Sequence, residues 1–260
     1  MTLNLDLRKT IIDLVRSANE GHIPSSFSIV DIIDYLYGNI LNYDLQFIDS
    51  PNRDYFILSK GHAALALYVV LEKYGIISRR ELLNYGNAGS PLGGHPDRLT
   101  TPGVEASTGS LGHGFPMAVG VALGLKINKL NNKVFVLVGD GECQEGTIWE
   151  AANIATNQKL DNICVIVDWN GSAQQLMPIE NLEMKWQAFG WKTKVIDGHS
   201  ESDFESTFLN SELFGGDAPI AVLAKNIKGK GVSFIEGHGP WHHKVPNDQE
   251  YAEFFKELDN

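Results

Sequence analysis

Residues 133–172, KVFVLVGDGECQEGTIWEAANIATNQKLDNICVIVDWNGS, decide the fold. Val134 to Val138 is a short apolar β-branched run that reads as a buried strand. A Gly139-Asp140-Gly141 turn follows, then a helix over about Thr147 to Gln158 and a second buried strand from Ile163 to Val167. Two such runs joined through one helix make a βαβ unit, with parallel strands covered on both faces. Open parallel sheets bind ligands beyond the carboxyl ends of their strands, where Asp140 and Asn170 both fall.

One carboxylate and one amide oxygen converging there are hard ligands suited to Mg²⁺ or Ca²⁺. Mg²⁺ usually completes its octahedron with phosphate oxygens and water. The expected ligand is therefore a metal diphosphate, approached closely by the backbone at Gly139 and Gly141 and faced by the positive end of the next helix. Gly-Asp-Gly also occurs as an ordinary turn. The second strand's Asp-Trp-Asn-Gly ending favours the ligand reading.

Working outward, 260 residues suffice for one large α/β domain spanning 1–260. A hydrophobic share of 43% and a charged share of 20% are globular values. The formal net charge of −11 disfavours a nucleic-acid surface, since phosphate is repelled by an acidic field. Any anionic ligand then needs a local pocket. No apolar run approaches the ~20 residues of a membrane span and no secretory leader is legible, so a cytoplasmic address is expected. Cys143 and Cys164 suggest neither a disulfide framework nor zinc, and Cys164 reads as a small core residue.

On the N-terminal side, helical spacing runs from about Leu3 to Ala18 and again from Ser26 to Tyr37, with Glu20 to Ser25 as a turn that holds His22. Tyr55 to Leu58 reads as a strand breaking into Ser-Lys-Gly-His, so His62 occupies a strand end like Asp140. Gly-rich loops at 89–98 and 107–114 carry His95 and His113, and a helix is expected over about Phe115 to Leu130. On the C-terminal side the βα alternation continues: a helix at Leu182 to Phe189, a strand at Lys192 to Ile196, a helix at Ser202 to Leu213 and a strand at Pro219 to Lys225. A Gly- and His-rich loop at 229–246 precedes a terminal helix. The sum is a doubly wound, mostly parallel sheet flanked by helices.

His22, His62, His95, His113, His238 and His242 all lie in Gly- or Pro-marked turns. Several imidazoles at the loops of such a sheet suggest a polar pocket that handles hydroxyls and protons. Zinc competes as an explanation, but no His-x-x-x-His or Glu-containing helix pair supports it.

The stretches EGHIPSS, RDYFILSKGHA, LGGHPDR, STGSLGHG, GDGECQEGTIWEA, DNICVIVDWNG, KWQAFGWKTKVIDGHS and KGKGVSF with a following WH span most of the chain. In that order they resemble the N-terminal, diphosphate-binding half of transketolases, particularly those divided between two subunits. The resemblance implies thiamine diphosphate with Mg²⁺ or Ca²⁺ as cofactors. It implies metal ligation by Asp140, Asn170 and the main-chain carbonyl of Ser172. His62, Gly109, Ser110, Leu111, Gly141 and His242 would surround the cofactor. His22, His62 and His95 would steady sugar hydroxyls and developing oxyanions. Glu145 and Glu150 match carboxylates near the family's dimer contact, and Glu145 is carried over as a catalytic and cofactor-side residue.

The resemblance further implies transfer of a two-carbon ketol unit from a ketose or ketose phosphate to an aldose. It implies a separate pyrimidine-binding partner subunit, in an α₂β₂ assembly, supplying the activating Glu. The chain departs from the family pattern in the 172–178 loop and at His243, where Gly is expected. Two other readings stand beside this one: a subunit of another thiamine diphosphate carboligase or decarboxylase, and a non-catalytic cofactor-binding paralogue.

Overall fold

In the computed structural model, which describes residues 4–43, 50, 52–174, 177–210, 216–237 and 239–259, the apolar runs pair as a single sheet. The strands are β1 (Tyr55–Leu58), β2 (Val134–Gly139), β3 (Ile163–Trp169), β4 (Lys192–Asp197) and β5 (Ile220–Lys225). All pairs are parallel, in the order β1-β2-β3-β5-β4. Alternate strand residues feed two cores, as a pleat dictates. Phe135, Leu137, Cys164, Ile166, Ile220 and Val222 face one side; Val134, Val136, Val138, Ile163, Val165 and Val167 face the other.

The first face is covered by α1 (Leu5–Ala18), α2 (Ile23–Phe27), α3 (Val30–Tyr35), α4 (Ala64–Lys73) and α5 (Arg79–Leu83). The second is covered by α6 (Gly114–Ile127), α7 (Gly146–Asn157) and α8 (Leu182–Ala188). α9 (Glu201–Phe208) and α10 (Asp248–Leu258) return to the first face. After β3 the chain leaves toward α8 on the second face, whereas after β5 it turns to Val232, Ile235 and Trp241 on the first. A crevice therefore opens at the carboxyl ends of these neighbouring strands, where an open α/β sheet takes its ligand.

Local chemistry sets the ends of the elements. Asn4 caps α1 by accepting from the Leu7 N–H, and Asn247 with Glu250 makes a capping box on α10. The helix expected from Ser26 to Tyr37 is broken. α2 begins earlier, with Pro24 in its first turn where the missing N–H is harmless and His22 at the N-cap position. α3 follows after Ile29, and Leu36–Ile40 continues as a single π turn. α6 stops at Ile127, short of the expected Leu130, and Lys129 lies in the left-handed region at φ 58. β3 runs two residues beyond the expected Val167, which places Asp168 inside the sheet. α9 ends at Phe208, short of the expected Leu213, with Leu209 as its C-cap, and residues 211–215 lie outside the described residues.

Two buried polar ties fix the C-terminal loop against the N-terminal helices. Arg8 makes a bidentate pair with Asp31, both contacts at 2.7 Å, and its Nε donates to the Lys230 carbonyl at 2.8 Å. Asp31 also meets His199 Nδ1 at 3.1 Å, while His199 Nε2 accepts from the Ile227 N–H at 3.0 Å. These partners hold the Asp31 carboxyl well below the usual range despite its burial. The Gly229 N–H donates to the Pro24 carbonyl at 3.0 Å, so the loop carrying Lys228 sits directly on α2.

Candidate active site

Four strand ends and the C-terminal loop deliver side chains to one cavity of about 370 Å³. After β1 come Lys60 and His62; after β2, Asp140, Gly141, Glu142 and Gln144; after β3, Asn170, Ser172 and Ala173; after β5, Lys228. Ser25, Leu111, Met177 and His242 complete the lining. Gly61 lets the His62 loop close on its neighbour, since a Cβ there would stand 2.8 Å from the Gly109 nitrogen.

Asp140 and Asn170 meet because their strands are in register, with Gly139 opposite Asp168. Asp140 is 4% exposed, and its Oδ2 has no hydrogen-bond partner among the described residues. Burial, with the Asp168 carboxylate close by, pushes the Asp140 carboxyl up from the ordinary range; Lys60 and the Gly171 and Gly141 N–H groups pull it back. A buried carboxylate oxygen without a donor, beside an amide oxygen, suits a hard cation. Among the described residues no group of three His, Cys, Asp or Glu side chains forms an all-protein metal cage. This donor set fits a cation that takes further oxygens from a phosphate ligand.

Cationic and neutral donors face that point. Lys60 is buried, donates to the Ser25 carbonyl at 3.1 Å and is ion-paired with Asp168. Lys228 lies 3.3 Å from His242 Nδ1, and burial and then Lys60 push its ammonium pKa down. A diphosphate would oppose both effects on Lys228.

His22, His62, His242 and His243 form one aromatic cluster. His22 lies 5.4 Å from His62, 5.3 Å from His242 and 4.6 Å from His243 between ring centroids. Burial, followed by the charge of Lys60, drives His62 down to about 2; burial and then His243 drive His22 to about 4. Both are therefore neutral imidazoles near neutral pH, able to donate or accept a hydrogen bond. His243 also stands 3.7 Å from the Glu20 carboxylate, at the outer edge of the cluster.

Not every expected residue reaches the cavity. Gly109 and Ser110 precede Leu111 in its loop without lining the cavity, and Gly109 packs against the His95 ring, whose Cδ2 would lie 3.0 Å from an added Cβ. His95 is exposed, yet close enough to act electrostatically on His22. Glu145 is exposed at the head of α7 and does not line the cavity, and Glu150 is exposed one turn further on. His113 is turned to its own loop, with Nδ1 3.0 Å from the Leu111 carbonyl. His238, like Gln175 and Leu176 of the 172–178 loop, lies outside the described residues.

Sequence reasoning passed over Lys60, Glu142, Asp168 and Lys228. Glu142 is 1% exposed and joins three loops: Oε1 accepts from Ser59 Oγ at 2.7 Å and the Gly112 N–H at 3.0 Å, and Oε2 from the Gly139 N–H at 3.0 Å. The available signal was a charged residue within or just after an otherwise apolar run, as in Ile163–Asp168 and Tyr55–Lys60.

A parallel sheet with a diphosphate-type crevice at its carboxyl edge defines a cofactor-binding α/β protein. Residues 3–257 match the family model described as "Transketolase, thiamine diphosphate binding domain", and the chain belongs to that family. It is 38% identical over 256 residues to one of the subunits of the apulose-4-phosphate transketolase of Phocaeicola vulgatus, covering 96% of this chain and 90% of that protein. It is 36% identical over 258 residues to the 6-deoxy-6-sulfo-D-fructose transketolase subunit SqwG of a Clostridium species, covering 97% and 94%. The solved transketolase of Campylobacter jejuni superposes with a TM-score of 0.89 at 28% identity, over 99% of this chain and 42% of that one. The chain thus matches subunit-sized relatives nearly end to end but spans about two fifths of that transketolase chain. No helix among the described residues is long and apolar enough to cross a membrane.

Proposed function

We propose that residues 1–260 act as one diphosphate-binding unit, the N-terminal subunit of a thiamine diphosphate-dependent transketolase completed by a second, pyrimidine-binding chain. The observation that carries this reading is the buried Oδ2 of Asp140, without a hydrogen-bond partner among the described residues, in a cavity shared with Asn170, Lys60 and Lys228.

Asp140, the Asn170 amide oxygen and the Ser172 carbonyl would hold Mg²⁺ or Ca²⁺. The Lys228 ammonium would meet a diphosphate oxygen, as His62 and His242 border the same cavity with Gly141 and Leu111. Gly109 and Ser110 would act as the loop that sets Leu111. When bound, thiamine diphosphate would supply the carbon nucleophile that adds to a ketose carbonyl. The chain's own part is to orient the sugar and manage its protons. Neutral His22 and His62, with His95 at the rim, would hydrogen-bond hydroxyls and the developing alkoxide without a resident charge that pairs too tightly with the donor. Glu145 and Glu150, exposed on α7, are better placed for a partner contact than for the substrate.

The donor would be a ketose with an anionic end group, on the analogy of relatives named for apulose 4-phosphate and 6-deoxy-6-sulfo-D-fructose. Those relatives are named as subunits, which supports a hetero-oligomer, and an α₂β₂ assembly is the simplest symmetric form. The test is to co-express the chain with a pyrimidine-binding partner and measure ketol transfer from phosphorylated ketoses to aldoses. Transfer is expected from the pair and none from the single chain with metal and cofactor. Transketolase-level turnover by the single chain, verified free of host enzyme, would refute the division of labour.

A further inference from the structure

Asp168 is fully buried at 0% exposure, yet it accepts from four side chains. Its Oδ1 takes Ser28 Oγ at 2.7 Å and Asn226 Nδ2 at 2.6 Å; its Oδ2 takes Asn170 Nδ2 at 2.9 Å and the Lys60 ammonium. An ionised carboxylate offers about four lone-pair sites and no donor. All four are engaged, so Asp168 has none left for a cation.

Asn170 is the partner with a choice. An amide side chain is nearly symmetric in shape, and nothing in its own covalent structure decides whether O or NH₂ faces a given point. Here both amide hydrogens are spoken for, one on Asp168 and one on Ser28 Oγ at 3.2 Å. The oxygen accepts the Ser172 N–H at 3.0 Å and keeps one lone pair. Because Asp168 can only accept, it selects the nitrogen, and the oxygen is what remains for the crevice. Ser28 relays the same preference, donating to Asp168 while accepting from Asn170.

We infer that Asp168 is the positioning residue of the cation site, holding the Asn170 amide with its oxygen turned to the ligand side. The inference rests on the cation reading of Asp140 and Asn170. Groups that orient a metal ligand from behind in this way are commonly worth 10- to 100-fold in metal affinity. Gly198 supports the arrangement, since any Cβ there would fall 1.3 Å from Asn226 Oδ1 and dislodge the amide that braces Asp168.

The test is calorimetric titration of the full chain with Mn²⁺ in the presence of inorganic pyrophosphate, alongside thermal melting of the metal-free chain. Asp168→Asn is expected to weaken Mn²⁺ binding by about 10- to 100-fold, because a donor now faces the Asn170 NH₂. The exchange variant Asp168→Asn with Asn170→Asp restores donor–acceptor complementarity across the same contact and is expected to recover most of that loss. Ser28→Ala leaves the Lys60–Asp168 pair in place and is expected to weaken Mn²⁺ several-fold without lowering the metal-free midpoint to the same degree. That variant keeps the inference testable if Asp168→Asn does not fold. Wild-type affinity in Asp168→Asn or in Ser28→Ala, or an exchange variant no better than the single one, overturns the inference. Asp140→Ala is the separating control. If it leaves Mn²⁺ affinity unchanged, the cation reading itself fails; if it abolishes binding while Asp168→Asn does nothing, only the positioning role fails.

Discussion

The backbone N–H of Asp140, the residue just past β2, donates across 3.1 Å to the carbonyl of Asp168, which pairs with Gly139 at the end of that strand. This bond carries the strand register into the loops. It fixes how Asp140 and Asn170, each leaving a different strand, come to face a common point. A slip of one residue in either strand would reverse that strand's facing and part the two side chains.

Replacing Asp140 by Asn is expected to stabilise the metal-free chain while abolishing its response to cations. The folded-state pKa is raised, so between the unfolded and folded values the native state holds more protons than the unfolded one. Stability is therefore lost as pH rises through that interval, and Asn escapes the loss. The gain should be about 1 kcal/mol at neutral pH, the order expected for relieving a buried polar group without a partner, and should vanish in acid. Urea denaturation in chelator at several pH values measures it, and a less stable Asn variant at neutral pH would contradict it.

His62 and His22 shift in the opposite thermodynamic sense. Their folded pKa values are depressed from 6.5 to about 2 and about 4, so below 6.5 the unfolded chain takes up protons that the native cluster refuses. Stability is present above that value and is lost as pH falls through it. Thermal midpoints recorded from pH 7 to pH 4 should drop, and His62→Asn should flatten the fall. An unchanged slope in that variant would remove His62 from the account.

His22→Ala and His95→Ala are expected to retain cofactor binding while losing turnover. A hydrogen bond made mainly in the transition state costs roughly 2.7–4 kcal/mol when deleted. The paired enzyme at saturating cofactor provides the assay. If either variant instead loses thiamine diphosphate affinity and regains full kcat at saturation, its role lies with the cofactor.

Glu142→Ala strands the Ser59 hydroxyl and the Gly112 and Gly139 N–H groups inside the protein. A destabilisation of about 1–3 kcal/mol or more is expected in urea, with Glu142→Gln losing less because its carbonyl keeps one acceptor. Equal loss in the two variants would show that volume, not hydrogen bonding, matters there.

The sheet is legible in the sequence because β-branched runs of strand length are bounded by Gly and Asp, and the Asp140–Asn170 pair falls at two such boundaries. Asp168 is legible only as a charge at a strand end, and its role is not. A single acid in an apolar run reads as a strand end, and its partners Ser28, Lys60 and Asn226 lie 140, 108 and 58 positions away. No local pattern encodes that meeting. The histidines show the same limit. Turn chemistry picks them out, but only tertiary packing gathers His22, His62, His242 and His243 while leaving His95 on Gly109 and His113 on its own loop. The early start of α2 is consistent with Pro24, a residue that favours the first turn of a helix.

The bonds from Arg8 to Lys230 and from Gly229 to Pro24 close loops of nearly the whole chain. During synthesis the N-terminal helices leave the ribosome long before the segment they grip, so the cavity wall has no Lys228 until β5 has been made. Contacts of such separation form slowly and leave apolar helix faces exposed meanwhile. Cofactor abundance in the cell can therefore protect the finished protein by mass action, but cannot rescue a chain that fails before its last strand is in place.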